Sequence, residues 1–335
     1  MLLEQSHLLI ARTDNIGDVV LTLPLAGYLK QRYPHMQIGF LCRGYAAPFV
    51  RLCSAVDYVV EVEQLDDPEQ QFSGAGIDVI VFSKPDKRLA AAAKKARIPH
   101  RVGTSHRFFH WLYCNRLAHF SRVKSPLHEA QLNFELLRPL GIDYIPTWEE
   151  IPALYQLQAP EYNGPVPLDR SRFNLIFHPK SNGNGREWPI AHFIELAKLM
   201  QAKPDVQLWI TGSANEQNWL EEHAAGLLGM PNVQSVCGKF TLDELAAFIA
   251  ACDGLIASGT GPLHMSAALG QRTLGLFPPL RPIHPGRWAP IGAKAQVLCV
   301  EKTCAGCKEP STCACMRAIT PQHVADVVEQ WRAEP

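Results

Sequence analysis

Short apolar runs alternate with amphipathic stretches through the first half of the chain. His7–Arg12, Gln37–Cys42, Tyr58–Val62 and Asp78–Ser83 are apolar runs of strand length. Asp18–Tyr33, Ala46–Cys53 and the alanine-rich Leu89–Ala96 read as the helices between and after them. Strands that alternate with helices predict a parallel sheet covered by helices on both faces. The rhythm fails from Pro146 to Arg172, where five prolines fall beside an Asn163–Gly164 turn. That composition marks a linker, within which Ile151–Leu157 could still form a last short strand of the first domain. The rhythm restarts with strands at Asn174–His178, Gln207–Thr211, Gly254–Ser258 and Thr273–Phe277. Helices are expected at Ile190–Met200, Ala214–Leu228, Leu242–Cys252 and Pro262–Leu269. A final amphipathic helix, Pro321–Trp331, has Thr320 as its N-cap and Pro321 at its first position. The pattern predicts an α/β protein of two Rossmann-like domains in tandem. Their bounds are 1–157 and 173–319, with a Pro-rich linker at 158–172 and the C-terminal helix in 320–335.

Composition narrows the function classes. The 335 residues, 47% of them hydrophobic, can fill two cores. Lys plus Arg and Asp plus Glu each number 32, so the overall basic excess of a nucleic-acid binder is missing. No stretch reaches the roughly 18 apolar residues of a membrane span. The start, with Glu4, Gln5 and Ser6, does not read as a signal peptide. Ten cysteines are too sparse for a disulfide scaffold, and six of them fall in predicted strands and helices. Together these features predict a cytoplasmic protein.

Three strand-to-helix loops carry candidate chemistry. Ala257–His264 (ASGTGPLH) places two glycines and small hydroxyls before a helix, whose positive end and free N–H groups suit an anion. The competing reading is a tight turn without a ligand. The pattern is neither G-x-G-x-x-G nor a Walker loop, which counts against simple dinucleotide binding or ATP hydrolysis. His178–Pro189 (HPKSNGNGREWP) follows another strand end and brings Lys180 and Arg186, the latter a planar fork for phosphate oxygens. Two such loops in one domain favour a diphosphate. In the first half, Ala11–Asp18 leads into a helix with Asp18 in its first turn. Asp18 is there either as a favourable partner of the helix dipole or as a catalytic carboxylate.

Together these segments resemble glycosyltransferase family 9, the heptosyltransferases of lipopolysaccharide assembly. Ile16–Pro24 (IGDVVLTLP) is similar to the family's opening signature. Arg186–Pro189 (REWP) is similar to its basic-x-Trp-Pro loop, and Gly259–His264 followed by Ala267–Gly270 to its donor turn. Arg101–Gly103 and His128–Glu129 also fall where members carry similar residues. The resemblance implies the GT-B fold, two Rossmann-like domains facing each other across a cleft. It implies an inverting, metal-independent transfer from ADP-heptose, with no cofactor beyond the nucleotide-sugar donor. Asp18 would be the general base, and Arg186 would stabilise the departing diphosphate with the backbone N–H groups of Thr260, Gly261 and Leu263. Lys180 is a second cation for the donor, and Glu216 falls near a family carboxylate that contacts the ribose. One position departs from the pattern: many members carry an acid where this chain has Gly259. His264 is a candidate for that acid's role toward the sugar, or else a core histidine.

Lys84, Lys87, Arg88 and Arg107 belong to a basic stretch interleaved with Phe108, Phe109, Trp111 and Tyr113. Falling in the half where the family holds its acceptor, they are expected to meet a phosphorylated, lipid-linked glycan and, transiently, the inner-membrane surface. Cys304, Cys307, Cys313 and Cys315 have enough thiols for a structural metal, but C-x-C is tighter than the usual half-site, so no metal is expected. Two rival functions stand beside sugar transfer: a GT-B epimerase or hydrolase of nucleotide sugars, and a binding module without catalysis.

Overall fold

A computed structural model describes residues 3–181, 183, 185–301, 304 and 313–334. The chain divides into two compact units, Met1–Gln158 and Ala159–Pro335.

The first unit runs β1 (His7–Ala11), α1 (Ile16–Val20), α2 (Leu23–Arg32), β2 (Gln37–Cys42), β3 (Tyr58–Glu61), β4 (Val79–Phe82), α3 (Lys87–Lys95), β5 (His100–Thr104), α4 (Phe108–Tyr113), β6 (Arg116–Ala118) and α5 (Glu129–Phe134), with shorter turns between. Its six strands lie in the order β3-β2-β1-β4-β5-β6, every neighbour parallel. The expected helix Asp18–Tyr33 is two helices. Leu21 and Thr22 interrupt it, and the Thr22 hydroxyl donates to the Asp18 carbonyl at 2.8 Å. The expected strand Ile151–Leu157 is a correction: Ile151–Leu154 is helical, and only Leu157 makes an isolated bridge, to Cys53. Pro152 at the first turn suits a helix and denies a strand its N–H.

The second unit contains β7 (Phe173–His178), α6 (Ile190–Gln201), β8 (Val206–Ile210), α7 (Ala214–His223), β9 (Val233–Ser235), α8 (Leu242–Ala251), β10 (Gly254–Ser258), α9 (Gly261–Ala268), β11 (Arg272–Phe277), β12 (Ala295–Cys299) and α10 (Pro321–Ala333). The strand order β12-β11-β10-β7-β8-β9 is again all parallel. Counted within the unit it repeats the 3-2-1-4-5-6 order of the first. The expected helix Ala214–Leu228 breaks at Ala224 into α7 and a single turn. The Pro-rich segment after Gln158 is coil but is packed onto this unit: Val166 is buried, and the Tyr162 ring meets Phe240 and Phe248 edge-on. The C-terminal helix is likewise part of this core, to which it contributes Val324, Val328 and Trp331. The Thr320 hydroxyl caps it by accepting from His323 N–H at 3.2 Å.

In a sheet of this order the strands on either side of the first crossover diverge, and ligands bind at their carboxyl ends. That switch point lies between β1 and β4 in the first unit and between β7 and β10 in the second.

Candidate active site

The second unit's switch point brings together the two glycine-bearing loops found in the sequence. The Trp188 N–H donates to the Ser258 hydroxyl at 3.0 Å, fastening the loop after β7 to the end of β10. The Trp188 ring is buried, and its indole N–H donates to the Ile319 carbonyl at 2.8 Å. Glu187 organises the loop from inside, accepting from Ser181 N–H at 2.8 Å and from Lys180 Nζ at 2.6 Å. Lys180 also stands 3.9 Å over the Trp219 ring, so this cation is held in place by a carboxylate and a π face. The backbones of the two loops run close: a Cβ on Gly185 would lie 3.3 Å from the Gly259 carbonyl.

At the end of β10, Thr260 is the N-cap of α9, but its side chain does not cap the helix. Its buried hydroxyl oxygen has no hydrogen-bond partner among the described residues. The N–H groups of Gly261 and Leu263 lie in the first turn, where no intrahelical acceptor exists, and Pro262 between them has no N–H. A buried unsatisfied hydroxyl costs about 1–3 kcal/mol, and an anion at this helix end would relieve it.

His264 is buried in the same helix, and its Nδ1 lacks a partner among the described residues. Desolvation lowers its pKa to about 4, so the ring is neutral at physiological pH. His178, at the end of β7, is also buried, bonded through Nδ1 to the Thr211 hydroxyl at 2.9 Å; burial lowers its pKa too. Glu216 forms a capping box with Ser213, accepting from the Ser213 N–H at 2.6 Å. A Cβ at Gly259 would stand 3.1 Å from the buried Phe277 ring, so a side chain there needs that ring to give by a few tenths of an ångström.

The first unit's switch point holds a cluster that the sequence reading only half identified. Arg12, just past β1, is 4% exposed. Its Nε donates to Asp14 at 2.7 Å, its Nη2 to Asp18, and its Nη1 reaches Glu129 at 3.5 Å, Asn133 at 3.4 Å and the Ser83 carbonyl at 3.4 Å. Arg122 donates to Glu129 at 3.0 Å, and Lys84 lies 3.5 Å from Asp14. Three cations thus balance three carboxylates. Asp18, in the first turn of α1, has its carboxyl pushed up to about 6 by desolvation; Arg12 opposes the shift, while Asp14 and Glu129 add to it. Glu129 and Asn133 are four apart on α5, so one helix face presents both to Arg12. That spacing was the signal for a role that the sequence reading did not assign.

Of the expected acceptor residues, Lys84 alone joins this cluster. Lys87 and Arg88 open α3, Arg88 donating to the Leu65 carbonyl at 3.4 Å, and Arg107 precedes α4. Cys313 and Cys315 are buried in the second core, with Cys304 packed against it, while Cys307 lies outside the described residues. Among the described residues no group of three or more His, Cys, Asp or Glu could hold a metal ion, and no helix is long and apolar enough to cross a membrane.

The family model for glycosyltransferase family 9 (heptosyltransferase) matches residues 74–316. The chain belongs to glycosyltransferase family 9. As a member it is a sugar transferase, so the epimerase, hydrolase and binding-module readings are not favoured. It is 24% identical over 301 residues to lipopolysaccharide heptosyltransferase 2 of Escherichia coli K12, covering 84% of this chain and 85% of that one. Its fold is similar to that of E. coli ADP-heptose lps heptosyltransferase II, with a TM-score of 0.71 at 20% identity, covering 97% and 98% of the two chains. A family 9 glycosyl transferase from Veillonella parvula matches over 100% and 99% of the chains, with a TM-score of 0.74 at 19% identity. The two Rossmann-like units are those of the family's GT-B class. The match to the family model begins beyond Asp18, so that residue's part rests on its own surroundings.

Proposed function

We propose that the chain transfers heptose from ADP-heptose, with inversion, to a lipopolysaccharide core or a related lipid-linked surface glycan. The observation that carries this reading is the anion seat at the β7/β10 switch point, where an unsatisfied Thr260 hydroxyl and a helix N-terminus meet a cation-bearing loop. The names of the E. coli relatives, which refer to lipopolysaccharide and ADP-heptose, support the choice of donor and acceptor.

In the reaction an acceptor hydroxyl oxygen attacks the anomeric carbon. The bond from that carbon to the diphosphate breaks, and its electron pair leaves with ADP. Asp18 takes the hydroxyl proton. A carboxyl raised to about 6 is ionised at neutral pH yet far more basic than an ordinary aspartate. Arg12 is the positioning residue that fixes it. Negative charge growing on the leaving diphosphate is stabilised by the N–H groups of Thr260, Gly261 and Leu263, with Arg186 and Lys180. Glu216 meets the ribose, and His264 takes the missing acid's role toward the sugar. Lys84, Lys87, Arg88 and Arg107 meet acceptor phosphates, and the enzyme works as a peripheral protein at the inner membrane.

Asp18→Asn, assayed for transfer with ADP-heptose, should lose about 10²–10⁴ in kcat while binding donor as wild type does. Unchanged turnover would remove Asp18 from the base role.

A further inference from the structure

We infer that α4 is a docking face for an anionic lipid bilayer. This rests on the lipid-linked acceptor reading above and adds the surface that brings the enzyme to it. Phe108, Trp111 and Leu112 are 79%, 58% and 50% exposed. Their i, i+3, i+4 spacing puts them on one side of the helix. The opposite side is anchored: His110 is buried and bonded through Nδ1 to the Thr104 carbonyl at 3.0 Å. The helix can sit this low because residue 103 is glycine; a Cβ there would lie 2.5 Å from the His110 ring. The Trp111 indole N–H donates to the Ser105 carbonyl at 2.9 Å, which fixes the ring at the surface. The apolar face is therefore built and presented rather than left by a loose turn.

Its surroundings are cationic. The segment from Lys84 to His128 contains eleven Lys and Arg but one acid, Asp86. Lys84, Lys95 and Arg122 pair with Asp14, Glu69 and Glu129 from elsewhere, which leaves most of the segment's positive charge without an acidic partner in the segment. Asp86 is part-buried and caps α3, accepting from the Leu89 N–H at 3.0 Å. Lys94 donates to the Leu112 carbonyl at 2.8 Å, at the end of the apolar face. Arg107 and Arg116 flank the helix and have no acidic partner among the described residues. Aromatic and aliphatic side chains ringed by cations match a headgroup layer that is anionic outside and apolar beneath. A second copy of this chain fits poorly, because pairing the face with itself would bring two cationic rims together.

The test is flotation of the full-length protein with vesicles, with neither donor nor acceptor present. Vesicles of phosphatidylglycerol and phosphatidylethanolamine should bind wild type at least about tenfold more strongly than phosphatidylcholine vesicles, with the preference falling at high salt. A Phe108→Ser/Leu112→Ser double variant should lose about tenfold or more of that binding, yet keep the wild-type rate on a deacylated, water-soluble acceptor. Wild type that ignores anionic vesicles, or a double variant that binds them equally well, overturns the inference. So does a wild-type dimer that the double variant dissolves, which would make the face a protein interface. Absence of wild-type transfer to the soluble acceptor would instead count against the proposed function, whatever the vesicles show.

Discussion

Replacing Arg12 with Met would remove a guanidinium that touches Asp14, Asp18 and Glu129. Met covers the apolar stem but leaves those carboxylates facing one another with Arg122 and Lys84 as remaining cations. Breaking a buried ion pair from one side costs about 3–5 kcal/mol, and the variant should lose a comparable amount of stability at pH 8. Arg12 opposes the upward push of desolvation on the Asp18 carboxyl, so its loss should carry that group further above about 6. The sign of the pH dependence follows. With folded-state values raised above the unfolded ones, the folded variant holds extra protons. Its deficit should shrink as pH falls toward 5 and grow as pH rises. Two assays read this: urea denaturation from pH 5 to 8, and the pH profile of kcat/KM. The acid limb, expected near pH 6 in wild type, should move up in Arg12→Met and by less in Arg12→Lys, which keeps the charge but not the fork. An unmoved limb together with a stability loss below about 1 kcal/mol at every pH would refute the account of this cluster.

Trp188→Phe removes the indole donor to the Ile319 carbonyl, and chemical denaturation should show a loss of about 1–3 kcal/mol; a change under about 0.5 kcal/mol would mean that this bond does not fasten the loop after β7. His264 is held neutral, with its pKa lowered to about 4. The unfolded chain therefore binds more protons, and this part of the stability is present above about pH 6.5 and lost as pH falls toward 4. Melting curves of wild type and His264→Gln should diverge least at low pH if burial of the neutral ring is the cause, and parallel curves would contradict it.

Legibility in the sequence followed burial. Gln37–Cys42 and Gly254–Ser258 are apolar runs buried along nearly their whole length, and the structure has strands with those same ends. β5 and β6 went unseen because His100, Arg101 and Arg116 stand at the part-buried or exposed starts of short strands toward the sheet edge. β9 and β12 are edge strands of the same kind. The two glycine-bearing loops were visible because glycine, hydroxyl and basic residues stand together in sequence, whereas the Asp18 cluster is assembled from afar. Arg12 meets Glu129 because β1 lies beside β4 and α5 packs over that end, a neighbourhood set by strand order rather than by any local pattern. The absence of an acid at residue 259 was plain in the sequence, but the close approach of Phe277 to that position was not, since Phe277 comes from the next strand.

The most direct measurement is calorimetric titration of purified protein with ADP, UDP and GDP, repeated on Thr260→Val and Arg186→Ala. The account predicts that ADP binds in preference to the other two and that each substitution weakens it by about tenfold or more, since a lost charge-assisted contact is worth about 1.5–3 kcal/mol. Equal affinity of both variants and wild type for ADP would place the diphosphate somewhere other than the β7/β10 switch point.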